Sequence, residues 1–484
     1  MKRESLQQIK NKLGSRATDS PYECAHYSRD LASLPGYLVN PFFDTMPDLV
    51  VRPSNVEEVA EILKRAYDED IPITPRAGGS TVYFDCVPSR GGIVVDLNLI
   101  QGVVKHDKTE MTATAKAGTT WSDLDQYLNP KGFASQSFPS SAPVATVGGW
   151  FCMMGYGIGS LKYGSLLTQT IELEVVMPTG EIQRLTRDTD PPLDWLFASE
   201  GTLGIVTEIK LGVRKRNPMK HFLIWLPDMA ELTKILSAIK ESKIIPYNLH
   251  FTDPQYINIM HKLGFSPGGI DRGCLLAVDY EGSPAELSNA ELFITVLAKN
   301  HHDLNLLPEK VAEEEWTEKF NAMRIKRDGP SIIGGEVWLP LKELSGYWED
   351  IQNMAGKYHL GIMSYGHIVT PDHVTVMSMF FTDENRILRY IFDLSVLKNI
   401  HDLGIRHCGH PYGIGLWNTP YIKRIFHPSR LKEMRERKNK LDPKGLMNPG
   451  KIYYYPPAMN PFCFGVAMGI ISGISRLTGR DRWQ

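Results

Sequence analysis

Pro75-Arg76-Ala77-Gly78-Gly79-Ser80-Thr81 follows directly on a short apolar run, Ile71 to Thr74. A glycine pair at the end of a strand lets several main-chain N–H groups converge with no Cβ in the way, which is what a diphosphate needs. Three further stretches repeat the device in a fixed order: Ala145-Thr146-Val147-Gly148-Gly149, Ser199-Glu200-Gly201-Thr202-Leu203-Gly204 and Asn448-Pro449-Gly450-Lys451. One Gly-Gly-Ser-Thr loop is more often a plain turn than a phosphate site. Four glycine stretches in this order, three early and one near the end, read as one nucleotide-binding domain whose chain leaves, builds something else and returns. Neither Gly-x-Gly-x-x-Gly nor Gly-x-x-x-x-Gly-Lys-Ser/Thr occurs, which argues against a Rossmann dinucleotide site and against a P-loop.

Working outward, the chain reads as α+β. Val56 to Asp68 has helical apolar spacing, and Ser54 with Glu57 three residues on predicts a cap at its start. Gly92 to Leu97, Met111 to Ala115, Glu172 to Met177 and Gly204 to Leu211 read as strands, with a helix over Thr120 to Leu128. Beyond about residue 215 strand-like runs such as Phe222 to Trp225 and Cys274 to Val278 alternate with long helices. Two similar halves, about 217–300 and 335–400, predict an antiparallel sheet backed by helices. The expected organisation is a nucleotide-binding domain over 1–215, a second α+β substrate domain over 216–410, a return over 411–456 and an apolar tail over 457–484.

Bulk composition narrows the function. The chain has 484 residues, 42% hydrophobic and 22% charged, with a formal net charge of −2, an ordinary globular balance with no basic excess for nucleic acid. Its 6 cysteines form no Cys-x-x-Cys pair, so neither a disulfide framework nor an iron–sulfur cluster held by this chain is expected. The polar N-terminus lacks an apolar h-region, and a cytoplasmic location is expected. Phe462 to Ile474 carries no charge but is shorter than a membrane span of about 20 residues. It reads as a core or interface helix, or as a docking face for a partner subunit or the inner membrane face. Arg476, Arg480, Arg482 and Trp483 follow it.

These motifs resemble FAD-dependent oxidoreductases of the vanillyl-alcohol oxidase/p-cresol methylhydroxylase type, and within them the glycolate oxidase and D-lactate dehydrogenase FAD subunits. The resemblance covers roughly residues 45–455. It implies a two-part FAD-binding domain and a cap domain. It assigns Pro75, Arg76, Ala77, Gly78, Gly79, Ser80 and Thr81 to the pyrophosphate loop, continuing into the strand Gly91 to Leu97. Pro139, Ser140, Thr146, Gly148 and Gly149 look like the second cofactor loop, with Gly157, Tyr163 and Gly164 continuing it. Glu200, Gly201, Gly204, Ile205 and Val206 match the segment beside the adenosine half, and Asn448 and Lys451 belong to the returning segment. The relatives' flavin-linking histidine is absent from the first loop, and Cys152 sits among bulky residues, so non-covalent FAD is expected.

Flavin chemistry on a 2-hydroxy acid needs a cation for the carboxylate and a base or Lewis acid for the hydroxyl proton. The resemblance makes Arg324, with Arg327 second, the carboxylate partner. It places His367 and His410 at matching positions; as an alternative to a metal, His410 reads as a simple base, with Tyr412 or Tyr365 donating to the substrate oxygen. Metal-binding members carry His-x6-His in Gly-Asp-Gly-Asn and a later Glu-His. Here Gly366-His367 and His373 stand one residue closer, and His410-Pro411-Tyr412 replaces the later pair. A divalent metal (Zn, Mn or Fe) at His367 and His373, with His410, is therefore a candidate only. Glu336 is a further polar candidate. The leading expectation is a dehydrogenase of D-lactate or glycolate type, acting with an iron–sulfur subunit or an electron-transfer flavoprotein in an oligomer. Two alternatives stand: an oxidoreductase of an alcohol or phenol, suggested by Trp338, Tyr365 and Trp417, and an electron-relay flavoprotein with no small substrate of its own.

Overall fold

The computed structural model describes residues 2–32 and 34–478, and the chain divides into two compact units. Unit 1 comprises Met1–Gly155, Ser165–Arg216 and Gly413–Phe464; unit 2 comprises Tyr156–Gly164, Asn217–Tyr412 and Gly465–Gln484. The segment 156–164, expected with the nucleotide-binding domain, clusters with unit 2.

Unit 1 holds two sheets. The first is β1 (Ala17–Thr18), β2 (Leu49–Val51), β3 (Ile73–Arg76) and β4 (Ile93–Asp96), in the order β1-β2-β4-β3. β2, β4 and β3 run parallel, and β4 is buried at all four positions. That is why Ile93-Val94-Val95 is a continuous apolar run rather than an alternation. Leu49, Val51, Ile73, Ile93 and Val95 pack with Val59, Ile62, Leu63 and Ala66 of the helix Val56–Asp68. Asn55 caps that helix by accepting from Glu58 N–H, while the Glu58 carboxylate returns to Ser54 N–H at 2.7 Å. The cap therefore falls one residue later than Ser54 and Glu57 predict. Asn55 takes the extended conformation a cap requires, and Arg16 holds the Glu58 carboxylate at 2.5 Å.

The second sheet is β5 (Val103–Asp107), β6 (Thr112–Lys116), β7 (Phe133–Ser135), β8 (Thr170–Val176), β9 (Ile182–Leu185) and β10 (Ile205–Lys215). Its order is β5-β6-β10-β8-β9, with β7 also on β10. All its pairs are antiparallel.

Unit 2 is built on one antiparallel sheet of β11 (Met219–Leu226), β12 (Asn248–Thr252), β13 (Cys274–Glu281), β14 (Asn305–Leu306), β15 (Ser331–Pro340), β16 (Met363–Thr370), β17 (His373–Thr382) and β18 (His410–Pro411). The order is β14-β11-β13-β12-β16-β17-β15-β18. Gly335 on β15 backs onto His401, and Gly404 onto Val337, so one face of this strand carries the helix Ile387–Arg406. By alternation Gly334, Glu336 and Trp338 belong to the other face.

The tail forms the helix Pro461–Thr478. Phe462 is 77% and Ile470 59% exposed, while Ser472 is buried in unit 2 with its hydroxyl 2.6 Å from that of Tyr358. No described helix is long and apolar enough to cross a membrane. Arg480, Arg482 and Trp483 lie outside the described residues, as does the side chain of Arg476.

Candidate functional site

In unit 1 the glycine stretches converge. A Cβ on Gly78 would stand 1.9 Å from the Val144 carbonyl oxygen, so the first loop lies against the second only because Gly78 has no side chain. Gly201 sits at φ +68°, where an L side chain is strained, and a Cβ there would also meet Pro75 at 2.8 Å. Among the described residues, the N–H groups of Gly78, Gly79 and Ser80 donate to no protein acceptor. Unspent donors directly after a strand are what a pyrophosphate takes up.

Three residues expected at the cofactor make bonds that hold the cradle together. The Asn448 amide donates to the carbonyls of Asp85 (2.8 Å) and Glu200 (2.7 Å). Lys451 Nζ donates to Val87 O (2.7 Å) and to Asn448 Oδ1 (2.6 Å). The Glu200 carboxylate accepts from the N–H groups of Ile414 and Gly415 at 3.1 and 3.0 Å. Burial, with Asp85 nearby, pushes Glu200 up to about 8, and burial pulls Lys451 down to about 8. These side chains tie the third and fourth stretches to each other, to Asp85 and Val87 beyond the first stretch, and to Ile414 and Gly415. Burial also pushes the Cys152 thiol up to about 12, which disfavours its thiolate form. Gly157 and Tyr163, also expected at the cofactor, fall in unit 2, where the Tyr163 hydroxyl bonds Glu281.

Asp85 Oδ1 is buried without a hydrogen-bond partner, and Asp85, Asp30 and Cys86 offer ligand atoms within 4.8 Å of one another. Burial and the neighbouring Asp85 raise Asp30 to about 7.

In unit 2 the candidate residues share one face of the sheet. Strand register sets a row: His410 pairs with Trp338, Trp338 with Thr375, Thr375 with His367, and His367 with His250. Antiparallel partners point the same way, so this row crosses five strands on one side. His410 and His367 stand three strand spacings apart, about 14 Å between their backbones.

At one end, His410 Nδ1 lies 2.8 Å from the Pro411 carbonyl oxygen. A carbonyl only accepts, so Nδ1 carries the hydrogen and Nε2 keeps a lone pair. Burial lowers the His410 pKa. The ring is nearly parallel to Trp338 (6.3 Å, 8°), and His373 lies on the same indole at 5.3 Å. Tyr156 packs edge-on to Trp338 at 4.7 Å. The Tyr412 hydroxyl donates to Tyr156 O (3.2 Å) and accepts from Tyr156 N–H (3.1 Å). It thereby clasps two points where the chain passes between the units and is not free to donate to a substrate.

At the other end, burial depresses His367 to about 3 and leaves its Nδ1 without a partner. Its neighbours are His250 (5.3 Å between rings) and Tyr365 (6.1 Å). The metal triad His367, His373 and His410 is not assembled: one ring faces His250, the other two face Trp338. Among the described residues the only trio within ligand distance is Asp30, Asp85 and Cys86. Arg324, expected to be free for a carboxylate, is ion-paired to Glu318 and lies over the Phe265 ring at 4.8 Å, with Arg327 over the same ring at 5.5 Å.

Sequence reading missed His250, Asn248, Asp279 and Tyr156. The alternation Asn248-Leu249-His250-Phe251-Thr252, polar on one side of a strand, was the available signal.

Residues 47–186 match the family described as FAD binding domain, and residues 218–452 the family described as FAD linked oxidases, C-terminal domain. The chain is 27% identical over 434 residues to glycolate oxidase subunit GlcD of Bacillus subtilis, covering 86% of this chain and 91% of that protein. It is 27% identical over 423 residues to D-lactate dehydrogenase of Archaeoglobus fulgidus, covering 84% and 91%. Among solved structures, p-cresol methylhydroxylase with substrate bound shares the fold at a TM-score of 0.81 and 16% identity, covering 94% of this chain and 97% of that one. The cradle of unit 1, the polar sheet face of unit 2 and these matches over both together place the chain in the FAD-linked oxidoreductases of the vanillyl-alcohol oxidase/p-cresol methylhydroxylase type.

Proposed function

We propose that the protein oxidises a 2-hydroxy acid, of the D-lactate or glycolate type, to the 2-oxo acid and passes the electrons to a partner protein. The observation that carries this reading is the anchored tautomer of His410. Its Nδ1–H is held by the Pro411 carbonyl, which leaves Nε2 as a ready acceptor at neutral pH. Non-covalent FAD, held by Arg76 to Ser80 and the loops that Asn448 and Lys451 brace, supplies the two-electron acceptor for a hydride. His410 takes the hydroxyl proton as the C2 hydrogen leaves with its electron pair, so that one proton and one hydride depart and a ketone remains. Trp338 lies along the imidazole and Tyr156 packs on that indole, which holds the ring in place. Arg324 binds the substrate carboxylate in exchange for Glu318. Tyr412 positions its surroundings rather than touching substrate. The exposed face of the tail helix, Phe462, Val466 and Ile470, suits an electron-accepting subunit. Likeness to the glycolate oxidase subunit and D-lactate dehydrogenase supports the substrate class.

The ion pair between Arg324 and Glu318 favours a second reading, an alcohol or phenol without a carboxylate. Anaerobic titration of the purified flavoprotein decides. Bleaching of the flavin band by glycolate, D-lactate or D-2-hydroxyglutarate supports the first reading; bleaching only by alcohols or phenols sinks it.

A further inference from the structure

We infer that unit 1 carries a metal site of its own, in which Asp30, Asp85 and Cys86 hold a zinc ion beside the first glycine loop. All three ligands belong to unit 1, and the site stands whether or not the proposed reaction does.

The first observation is convergence. Asp30 follows the helix Pro21–Tyr27, far ahead of the loop Pro75 to Thr81, while Asp85 and Cys86 come just after that loop. The Phe84 N–H donates to Asp30 Oδ2 at 2.8 Å, and the Leu31 N–H donates to the Thr81 carbonyl at 3.0 Å. These bonds lay one segment along the other. A carboxylate oxygen of each aspartate and the Cys86 sulfur then lie within 4.8 Å of one another. The Ala32 N–H donates to Asp30 Oδ1 at 2.8 Å, so main-chain donors orient both oxygens of that carboxylate, and each keeps a lone pair for a cation.

The second observation is an unmet acceptor in the same cluster. Asp85 is 6% exposed, and its Oδ1 meets no hydrogen-bond partner among the described residues. A buried carboxylate oxygen ordinarily accepts from something. The nearby cations spend hydrogens elsewhere: Lys451 on Val87 O and Asn448 Oδ1, and Arg76 on the Arg29 carbonyl at 2.5 Å. Burial pushes Asp85 and the Cys86 thiol up, and burial with Asp85 alongside raises Asp30 to about 7. Three acidic groups thus sit together and favour their protonated forms, and a dication would displace those protons.

The donor set selects the ion. A thiolate argues against magnesium and calcium, which take oxygen ligands, and for zinc, which takes sulfur and carboxylate oxygen together. Three protein ligands leave a tetrahedral zinc one open position. Binding releases the thiol proton and any carboxyl protons, so affinity rises with pH. The ion would pin the chain before the glycine loop to the chain after it.

Metal analysis of the holoprotein, loaded with zinc chloride and then dialysed into zinc-free buffer, tests this. The wild type should retain about one zinc per chain. Cys86→Ser and Asp85→Asn should each retain at least about tenfold less. Cys463→Ser, which changes an exposed thiol, should match the wild type. Cadmium in place of zinc should give the wild type a cadmium–thiolate ultraviolet band that Cys86→Ser lacks. An unchanged FAD content in Cys86→Ser shows that its cradle is folded. A wild type that keeps no zinc, a Cys86→Ser protein that keeps as much as the wild type, or cadmium that gives the wild type no thiolate band overturns the site. If the wild type keeps no zinc and Asp85→Asn loses FAD, Asp85 serves the cofactor and the site is likewise overturned.

Discussion

The cradle of unit 1 and the sheet face of unit 2 solve recognition in opposite ways. In the cradle the groups left open are main-chain N–H donors, and the conspicuous side chains (Asn448, Lys451 and Glu200) lace loops together. On the sheet face the candidate groups are side chains, brought level by strand register from residues as far apart in sequence as His250 and His410. The first arrangement depends on the absence of atoms at a few glycines. The second depends on tautomers and burial.

The sharpest way to break that contrast is to add atoms to the cradle. Gly78→Val should abolish FAD retention, because its first carbon would already overlap the Val144 carbonyl. The flavin-to-protein absorbance ratio after gel filtration reads this directly. A variant that purifies yellow would mean that the two loops do not meet as described.

A side-chain change on the sheet face should do the reverse, sparing the cofactor and losing the chemistry. His410→Gln should keep a normal FAD spectrum while the anaerobic rate of flavin reduction falls by about 10²–10⁴-fold, the range for losing a general base. If the rate is unchanged, His410 is not the base, and His367, at the other end of the row, becomes the one to test.

Burial of the sheet face can be read from pH. His367 is held near 3 when folded against an ordinary value of 6.5. The unfolded chain therefore takes up a proton below 6.5 that the folded chain refuses until about 3. Stability from this group is whole above pH 6.5 and falls as the pH drops through that window, by up to about 1.4 kcal/mol per unit. Urea midpoints at pH 7, 5 and 4 should fall less steeply for His367→Asn than for the wild type. Parallel slopes would mean that water reaches the ring.

The same contrast explains what the sequence disclosed. Glycine stretches, a buried parallel strand such as Ile93–Asp96 and an amphipathic helix are local patterns, legible because neighbours in sequence decide them. The sheet-face row is not local. Nothing near His410 says that Trp338 lies beside it, or that His367 lies two strands beyond that. His373 was grouped with His367 by spacing, yet β16 and β17 carry the two rings to different partners. Arg324 looked available because Glu318 and Phe265 meet it only once the chain turns through Ala322–Asp328. Asp279, which meets His221 and Asn248, is one acid among many until β12 is laid against β13.

The smallest test asks how finely even a local pattern can be read. Ser54 with Glu57 and Asn55 with Glu58 are both plausible caps one residue apart, and only the folded helix chooses. Asn55→Ala removes the side chain that accepts from Glu58 N–H and should cost about 1 kcal/mol. Ser54→Ala should cost a few tenths of a kcal/mol, roughly the scale of an exposed side chain away from any cap. Its main-chain N–H still holds the Glu58 carboxylate at 2.7 Å, and two exposed hydroxyl contacts are lost, one to Glu58 at 3.1 Å and one from Arg16 at 3.0 Å. Chemical denaturation of both variants gives the two numbers. Equal losses would mean that the cap is shared between the two residues, and a larger loss at Ser54 would return the helix start to where its sequence first suggests.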